Sequence, residues 1–384
     1  MTVVLAETRQ QIVDLAREFA AEHIAPFAAG WDRTKTFPKD LIRQMGELGF
    51  FGILVPEQYD GLGLDTLTYL MVMEEIATAD AASAISIGVH NSLPTQMILR
   101  YGTEAQKDKW LRPMAKGEML GAFALSETES GSDAAGLRTQ ATRKGDGWVL
   151  SGTKAWVTNG GTADVVLMLC RTDKQGDRKG ARGISAFIVP TDAKGYAPGK
   201  PEDKMGLRAS NTTSVSLDDV ALPAEALLGK EGHGFVYALS ALDGGRLGVA
   251  AQAIGIGRAA LEHSVRYAKE RKQFETHISE FQAVQFKLAD MVTQVSAARG
   301  LLLEAARRKD LGEDVTQWAA MAKLFASEMA MRVSSDAVQI FGGYGYMRDY
   351  PVERLMRDAK VTAIYEGTSE IQRMVIARQL LNRP

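Results

Sequence analysis

Arg138-Thr139-Gln140-Ala141-Thr142-Arg143-Lys144-Gly145-Asp146-Gly147-Trp148-Val149-Leu150-Ser151 is where the chain changes period. Two short runs flank a Gly-Asp-Gly turn, which is a β-hairpin pattern. Upstream, from about Thr8 to Gly121, the pattern is helical, with Ile12, Leu15, Ala16 and Phe19 at helical spacing. Pro26, Pro38, Pro56 and Pro94 read there as helix stops. Downstream, Ala163–Arg171, Gly183–Val189 and Thr213–Leu217 are short β-branched runs. A charged loop over Asp173–Ala181 and a turn-rich stretch over Thr191–Gly199 separate them. From about His233 the helical period returns in Leu247–Arg271, Phe281–Lys309 and Val315–Ile340. The Gly-rich break Gly342-Gly343-Tyr344-Gly345 then leads to a helix with Pro351 in its first turn and a last helix from about Thr368. The expected fold class is α+β: an N-terminal helical domain (1–121), a middle antiparallel β-domain (122–230) and a C-terminal helical bundle (231–384).

Composition narrows the function. With 384 residues the chain is long enough for a large core without covalent staples. A formal net charge of −2 argues against a general nucleic-acid binder. No apolar run is long enough to span a bilayer, so no membrane partner is expected. The single cysteine, Cys170, permits no intrachain disulfide and reads as a buried strand residue rather than a nucleophile. The start shows neither a secretory signal nor a transit peptide, so the expectation is a cytoplasmic protein, or a mitochondrial matrix one if a leader is missing.

Self-contained catalytic motifs are missing. The five histidines (His23, His90, His233, His263, His277) show no metal-ligand spacing, so no metal is expected. Gly255-Ile256-Gly257-Arg258-Ala259-Ala260 fits a relaxed dinucleotide fingerprint, but no strand precedes it; it reads as close helix packing. There is no P-loop, no His-Glu-x-x-His and no Gly-x-Ser-x-Gly. A redox enzyme built from such a chain needs a bound cofactor.

Three segments remain: Ala124-Leu125-Ser126-Glu127-Thr128-Glu129-Ser130-Gly131-Ser132-Asp133-Ala134-Ala135-Gly136, Gln339-Ile340-Phe341-Gly342-Gly343-Tyr344-Gly345-Tyr346 (continuing to Asp349, Arg354 and Asp358), and Ile364-Tyr365-Glu366-Gly367-Thr368-Ser369-Glu370-Ile371-Gln372. In the third, apolar neighbours of Glu366 favour a raised pKa, and Gly367 permits close backbone approach to a ligand. On pattern alone, Glu366 reads as an exposed glutamate before a helix-stopping glycine. Asp243 and Arg246 read as a surface i,i+3 ion pair, and Thr368 as a helix N-cap.

In these segments and in its helix–β–helix order, essentially the whole chain resembles the acyl-CoA dehydrogenase family. The resemblance implies FAD as cofactor, an acyl-CoA substrate, an electron-transferring flavoprotein as partner and a homotetramer. It makes Glu366 the base that removes the α-proton. Some members carry that base at the position of Gly245, which has no side chain to act with. The resemblance places Phe123, Leu125, Ser126, Gly131 and Ser132 on the flavin, with Trp156 and Thr158 beside its ring. It assigns Arg271, Phe274, Gln282, Gln339, Gly342 and Gly343 to the FAD of a neighbouring subunit, and has Thr368 and Glu370 complete the site. Ser132, Asp243, Arg246, Tyr365 and Gly367 would contact substrate. The family's usual glycine after Phe274 is Glu275 here, which is strained if that turn needs positive φ. Similarity is greatest to members acting on short straight or 2-methyl-branched chains. An O2-using oxidase, a non-oxidative desulfinase-like member and a catalytically silent flavoprotein stay open as alternatives.

Overall fold

The computed structural model describes residues 2–173 and 180–382, so most of the charged loop expected over Asp173–Ala181 lies outside the described residues. The chain opens with helix α1 (Thr2–Phe19), which runs through a π-helical turn into α2 (Ala25–Thr34). Helices α3 (Lys39–Glu47), α4 (Thr66–Ala79), α5 (Ala81–Ser92) and α6 (Pro94–Tyr101) follow. The short helices α7 (Glu104–Gln106) and α8 (Arg112–Ala115) close this part. Asp65 and Asp80 cap α4 and α5 through side-chain bonds to Thr68 N and Ser83 N.

The expected stops hold at Pro38 and Pro94, since α2 ends at Thr34 and α5 at Ser92, but both prolines also open the next helix; at Pro26 no stop forms, because α1 runs on into α2. Pro26 and Pro94 lie in the first turns of α2 and α6, Pro38 is the N-cap of α3, and Pro56 precedes a 3-10 turn. A proline has no N–H to leave unbonded in a first turn, so it suits a start as well as a stop.

The middle part is a twisted sheet of β1 (Gly121–Ala124), β2 (Gln140–Lys144), β3 (Gly147–Thr158), β4 (Val165–Arg171), β5 (Ile184–Pro190), β6 (Tyr196–Pro198), β7 (Thr212–Leu222) and β8 (Leu227–Leu228). Its order is β6-β7-β3-β2-β4-β5-β8, with β1 added on β4. The expected hairpin is β2–β3, registered Lys144 against Gly147. The sheet is antiparallel except around β4, which pairs in parallel with β1 and with the end of β2. The antiparallel expectation therefore needs this correction: β4 is reached through long connections, which permit parallel pairing where a hairpin cannot. Cys170 is buried in β4, and burial pushes its thiol up to about 12, so the core reading stands.

Helix α9 (Gly234–Glu270) is the axis of the C-terminal part. A small hairpin, β9 (Lys272–Gln273) and β10 (Thr276–His277), leads to α10 (Gln282–Asp310). Then come α11 (Thr316–Phe341), α12 (Val352–Thr362) and α13 (Ser369–Leu381). Helix α9 packs against α4, α5, α10, α11 and α12. Gly255 and Gly257 serve that packing: a Cβ would stand 2.6 Å from Ala77 Cβ at the first and 2.7 Å from Met329 Sδ at the second. They are helix contacts, not a dinucleotide loop.

Candidate active site

Glu366 sits in the turn between α12 and α13 with φ 55°, followed by Gly367 at φ 88°. A non-glycine residue rarely holds that conformation. Its carboxylate oxygen Oε2 is buried and has no hydrogen-bond partner among the described residues. It points at α9: a Cβ built on Gly245 would lie 2.7 Å from Oε2. The missing side chain at Gly245 is therefore the room that Glu366 occupies. Burial pushes the Glu366 carboxyl up to about 7, with the charges of Arg246 and Lys323 holding it down.

The surroundings of that carboxylate come from four helices. On α9, Arg246 donates to Asp243 Oδ1 at 2.6 Å, and Thr316 Oγ1 on α11 donates to Asp243 Oδ2 at 2.8 Å. The i,i+3 pair of the sequence reading is present, but it is largely buried rather than on the surface. Also on α11, Lys323 Nζ donates to Gly367 O at 2.7 Å. From α13, Gln372 Nε2 donates to Glu366 O at 3.1 Å and to Gly367 O at 2.8 Å. From α4, Tyr69 is buried, and a Cβ on Gly248 would approach its hydroxyl to 2.9 Å. Tyr365 donates to Gln252 of α9, which in turn donates to Ala81 O at 2.7 Å.

A second group lies on the sheet. Phe123 is the last but one residue of β1, and Leu125 and Ser126 follow the strand's end, all three partly buried. Lys154, fully buried in β3, donates to Leu125 O at 3.1 Å and to Glu127 Oε1 at 2.8 Å. Glu127 also accepts from Arg138 N and from both the N–H and hydroxyl of Thr139. Burial raises the Glu127 carboxyl, but the Lys154 charge and these donors leave it below its ordinary value. The stretch carrying Leu125 and Ser126 is thus clamped to β3, where Ala155 N donates to Ser126 O at 2.9 Å. Beside it Trp156 stands at φ 54° on a β-bulge with 57% of its surface exposed, and Thr158 is partly buried. Trp156 is therefore not ordinary β-core. Gly131 and Ser132 lie exposed on the adjoining loop. Helix α5 joins this ledge to the Glu366 region: Ser86 donates to Asn159 Oδ1 at 3.1 Å just beyond β3, and Ser92 faces Gly244 on α9.

The remaining residues form two separate places. Arg271 lies over the Tyr344 ring at 5.3 Å, which brings the β9–β10 hairpin beside the Gly-rich turn. Phe274 is 92% exposed, and Gln282, Gln339, Gly342 and Gly343 are exposed with it. This surface is at the far end of α11 from Lys323, about 27 Å away along the helix. Thr368 caps α13, accepting from Ile371 N at 3.3 Å, so the bland N-cap reading is correct as far as it goes. With Glu370 it also lines a cleft of about 500 Å³ that contains Arg332, Lys360 and Arg373.

Three domain families match in order: acyl-CoA dehydrogenase N-terminal domain over residues 6–118, middle domain over 122–220 and C-terminal domain over 232–381. The chain belongs to the acyl-CoA dehydrogenase family. It is 49% identical over 376 residues to an acyl-CoA dehydrogenase of Bacillus subtilis, covering 97% of this chain and 98% of the relative. Butyryl-CoA dehydrogenase from Megasphaera elsdenii superimposes with a TM-score of 0.95 at 46% identity, covering 97% and 98% of the two chains. A structure from work on the electron transferring flavoprotein of Acidaminococcus fermentans and flavin-based electron bifurcation gives 0.96 at 48% identity, covering 98% of each.

The FAD that the acyl-CoA dehydrogenase fold implies fits the groups present. The exposed Trp156 ring beside a clamped backbone suits a flat aromatic ligand. The cleft at Thr368 sets Arg332, Lys360 and Arg373 and the buried, unpartnered hydroxyl of Ser369 against the carboxylates of Glu328 and Glu370, so it keeps a net positive charge and donors for an anion. Among the described residues no group of histidine, cysteine and carboxylate side chains could hold a metal ion.

Sequence reasoning missed Lys154, Glu127, Lys323, Gln252 and Tyr69. One signal was available for Lys323. It shares the helical face of Ala319, Ala326 and Ala330, and a lysine on an apolar stripe has to be explained.

Proposed function

We propose that this protein catalyses FAD-dependent α,β-dehydrogenation of a short-chain acyl-CoA, with Glu366 as the base. The observation that carries the reading is the buried, unpartnered Oε2 of Glu366, held in the space left by Gly245. An oxygen with no internal partner is available to accept a proton from a ligand. Its pKa of about 7 keeps a useful fraction ionised near neutrality while making it a stronger acceptor than an ordinary carboxylate.

The α-proton passes to Glu366, and an enoyl thioester is formed as the β-hydrogen leaves as hydride. Bound FAD supplies the acceptor for that hydride. Phe123, Leu125, Ser126, Gly131, Ser132, Trp156 and Thr158 hold the cofactor, with Thr368 and Glu370. The Glu366 N–H makes no hydrogen bond among the described residues and is free to meet the thioester oxygen as negative charge develops on it. Asp243, Arg246, Ser132, Tyr365 and Gly367 hold the substrate.

The distance of the Arg271, Phe274, Gln282, Gln339, Gly342 and Gly343 surface from Glu366 supports its service to the FAD of a second subunit. The assembly we infer is a homotetramer. Electrons leave to an electron-transferring flavoprotein, and similarity to the Acidaminococcus structure supports that partner. No helix among the described residues is long and apolar enough to cross a membrane, and we infer a cytoplasmic or matrix enzyme.

Anaerobic titration of the FAD-loaded protein with butyryl-CoA, 2-methylbutyryl-CoA and octanoyl-CoA tests this. Butyryl-CoA should bleach the visible flavin band, and Glu366→Gln should abolish the bleaching and cut turnover by ~10²–10⁴. Bound flavin that none of the three bleaches overturns the reading in favour of a non-oxidative or silent protein. Rapid aerobic turnover with peroxide would mark an oxidase.

A further inference from the structure

The Glu366 turn is pinned from two sides. Gln372 bonds the carbonyls of Glu366 and Gly367 from α13, and Lys323 bonds the Gly367 carbonyl from α11. Lys323 has no exposed surface. An ammonium so placed is costly unless something compensates it. No carboxylate stands within ion-pair distance of it among the described residues. Gln372 shows that a neutral amide makes the same bond to the same oxygen, so holding the turn does not explain why the group is charged.

The charge has a use at the base. Arg246 on α9 and Lys323 on α11 are the cations acting on Glu366, and Tyr69 on α4 and the neighbouring Tyr365 also interact with it. Asp243 neutralises Arg246 at 2.6 Å. The carboxylates coupled to Lys323 are Glu366 itself and Glu370, whose side chain is at the surface. We propose that Lys323 is a positioning residue for Glu366: it pins the Gly367 carbonyl and supplies the uncompensated positive charge that favours the carboxylate form of the base. This rests on Glu366 being the base. Without Lys323 a larger share of Glu366 is protonated at working pH and cannot accept the α-proton.

The test uses the FAD-loaded enzyme and butyryl-CoA, with kcat/KM measured across the acid limb of the pH profile. Removing an opposite charge from beside a carboxylate raises its pKa. Lys323→Gln should therefore lose kcat/KM at acid pH and little at alkaline pH, while Lys323→Arg keeps the wild-type limb. A second readout needs no turnover. The pH dependence of the melting temperature that belongs to Glu366 should move upward in Lys323→Gln and vanish in the Lys323→Gln/Glu366→Gln double variant. Lys323→Gln keeps a donor for Gly367, so it isolates the charge even where Lys323→Met does not fold. An acid limb in Lys323→Gln that coincides with wild type, or a loss equal at every pH, overturns the proposal. An active Glu366→Gln overturns the base reading and this proposal together, whereas an inactive Glu366→Gln with an unmoved Lys323→Gln limb overturns this one alone.

Discussion

Glu366 holds a strained backbone and a buried, unpaired oxygen at once, and both have consequences at the scale of one residue. Its folded pKa, about 7, is above the ordinary 4.5 because burial disfavours the charged form. A carboxyl raised in this way stabilises the fold fully below its unfolded pKa and loses that contribution as pH rises through the folded one. Wild type should thus lose stability relative to Glu366→Gln between pH 4.5 and about 7. The difference is at most about 3.5 kcal/mol, from about 1.4 kcal/mol per pKa unit. Melting temperatures of the two proteins at mildly acid and mildly alkaline pH check this. A difference between them that does not change with pH would show that the carboxylate is solvated in the folded state.

At the scale of elements, the β9–β10 hairpin is the local departure. Gln273 pairs with Thr276 and Lys272 with His277, so Phe274 and Glu275 are the two central turn residues. Both have positive φ, 53° and 66°, as a type I′ turn requires. That geometry matches the strand twist but costs about 1 kcal/mol or more at each residue with a Cβ. The expectation that Glu275 is strained if the turn needs positive φ is met. Glu275→Gly should stabilise the protein by about 0.5–1 kcal/mol. It also removes a negative charge from the surface that carries Arg271, so the variant should keep FAD longer through gel filtration at low salt. Equal or faster cofactor loss would separate this hairpin from the cofactor.

At the scale of the whole molecule, the three parts of the chain meet at Asp358. This α12 carboxylate accepts from Leu207 N of the middle part at 2.6 Å, and it feels Asp80 at the α4–α5 corner and Arg354 on its own helix. Burial, reinforced by Asp80, pushes Asp358 up to about 7. The sign matches that of Glu366: its contribution is present at low pH and is lost as pH rises through about 7. Asp358→Asn retains an acceptor for Leu207 and should flatten this part of the pH dependence. Asp358→Ala leaves the Leu207 N–H unpaired and should cost about 1–3 kcal/mol at any pH. Thermal unfolding on either side of neutrality distinguishes the two variants from wild type.

The sequence by itself determined the order of the parts, because the change from helical to strand period at the β2–β3 hairpin is a local property. Pattern alone read Glu366 as an exposed glutamate, and it was the resemblance of the contiguous motif around it to the family that singled it out. Prolines marked the ends of α2 and α5 but not the helices they open in turn, since a residue that ends one helix can equally begin the next. Strand direction at β4 was not legible, because the partner of a strand depends on connections that local pattern does not record. Only the tertiary structure set Gly245 against Glu366 from another helix and brought Lys323 beneath the Gly367 carbonyl. Whether a carboxylate is an ordinary acid or a base poised near neutrality depends on burial and on neighbouring charges. Those neighbours come from helices far apart in the chain, and packing alone assembles them.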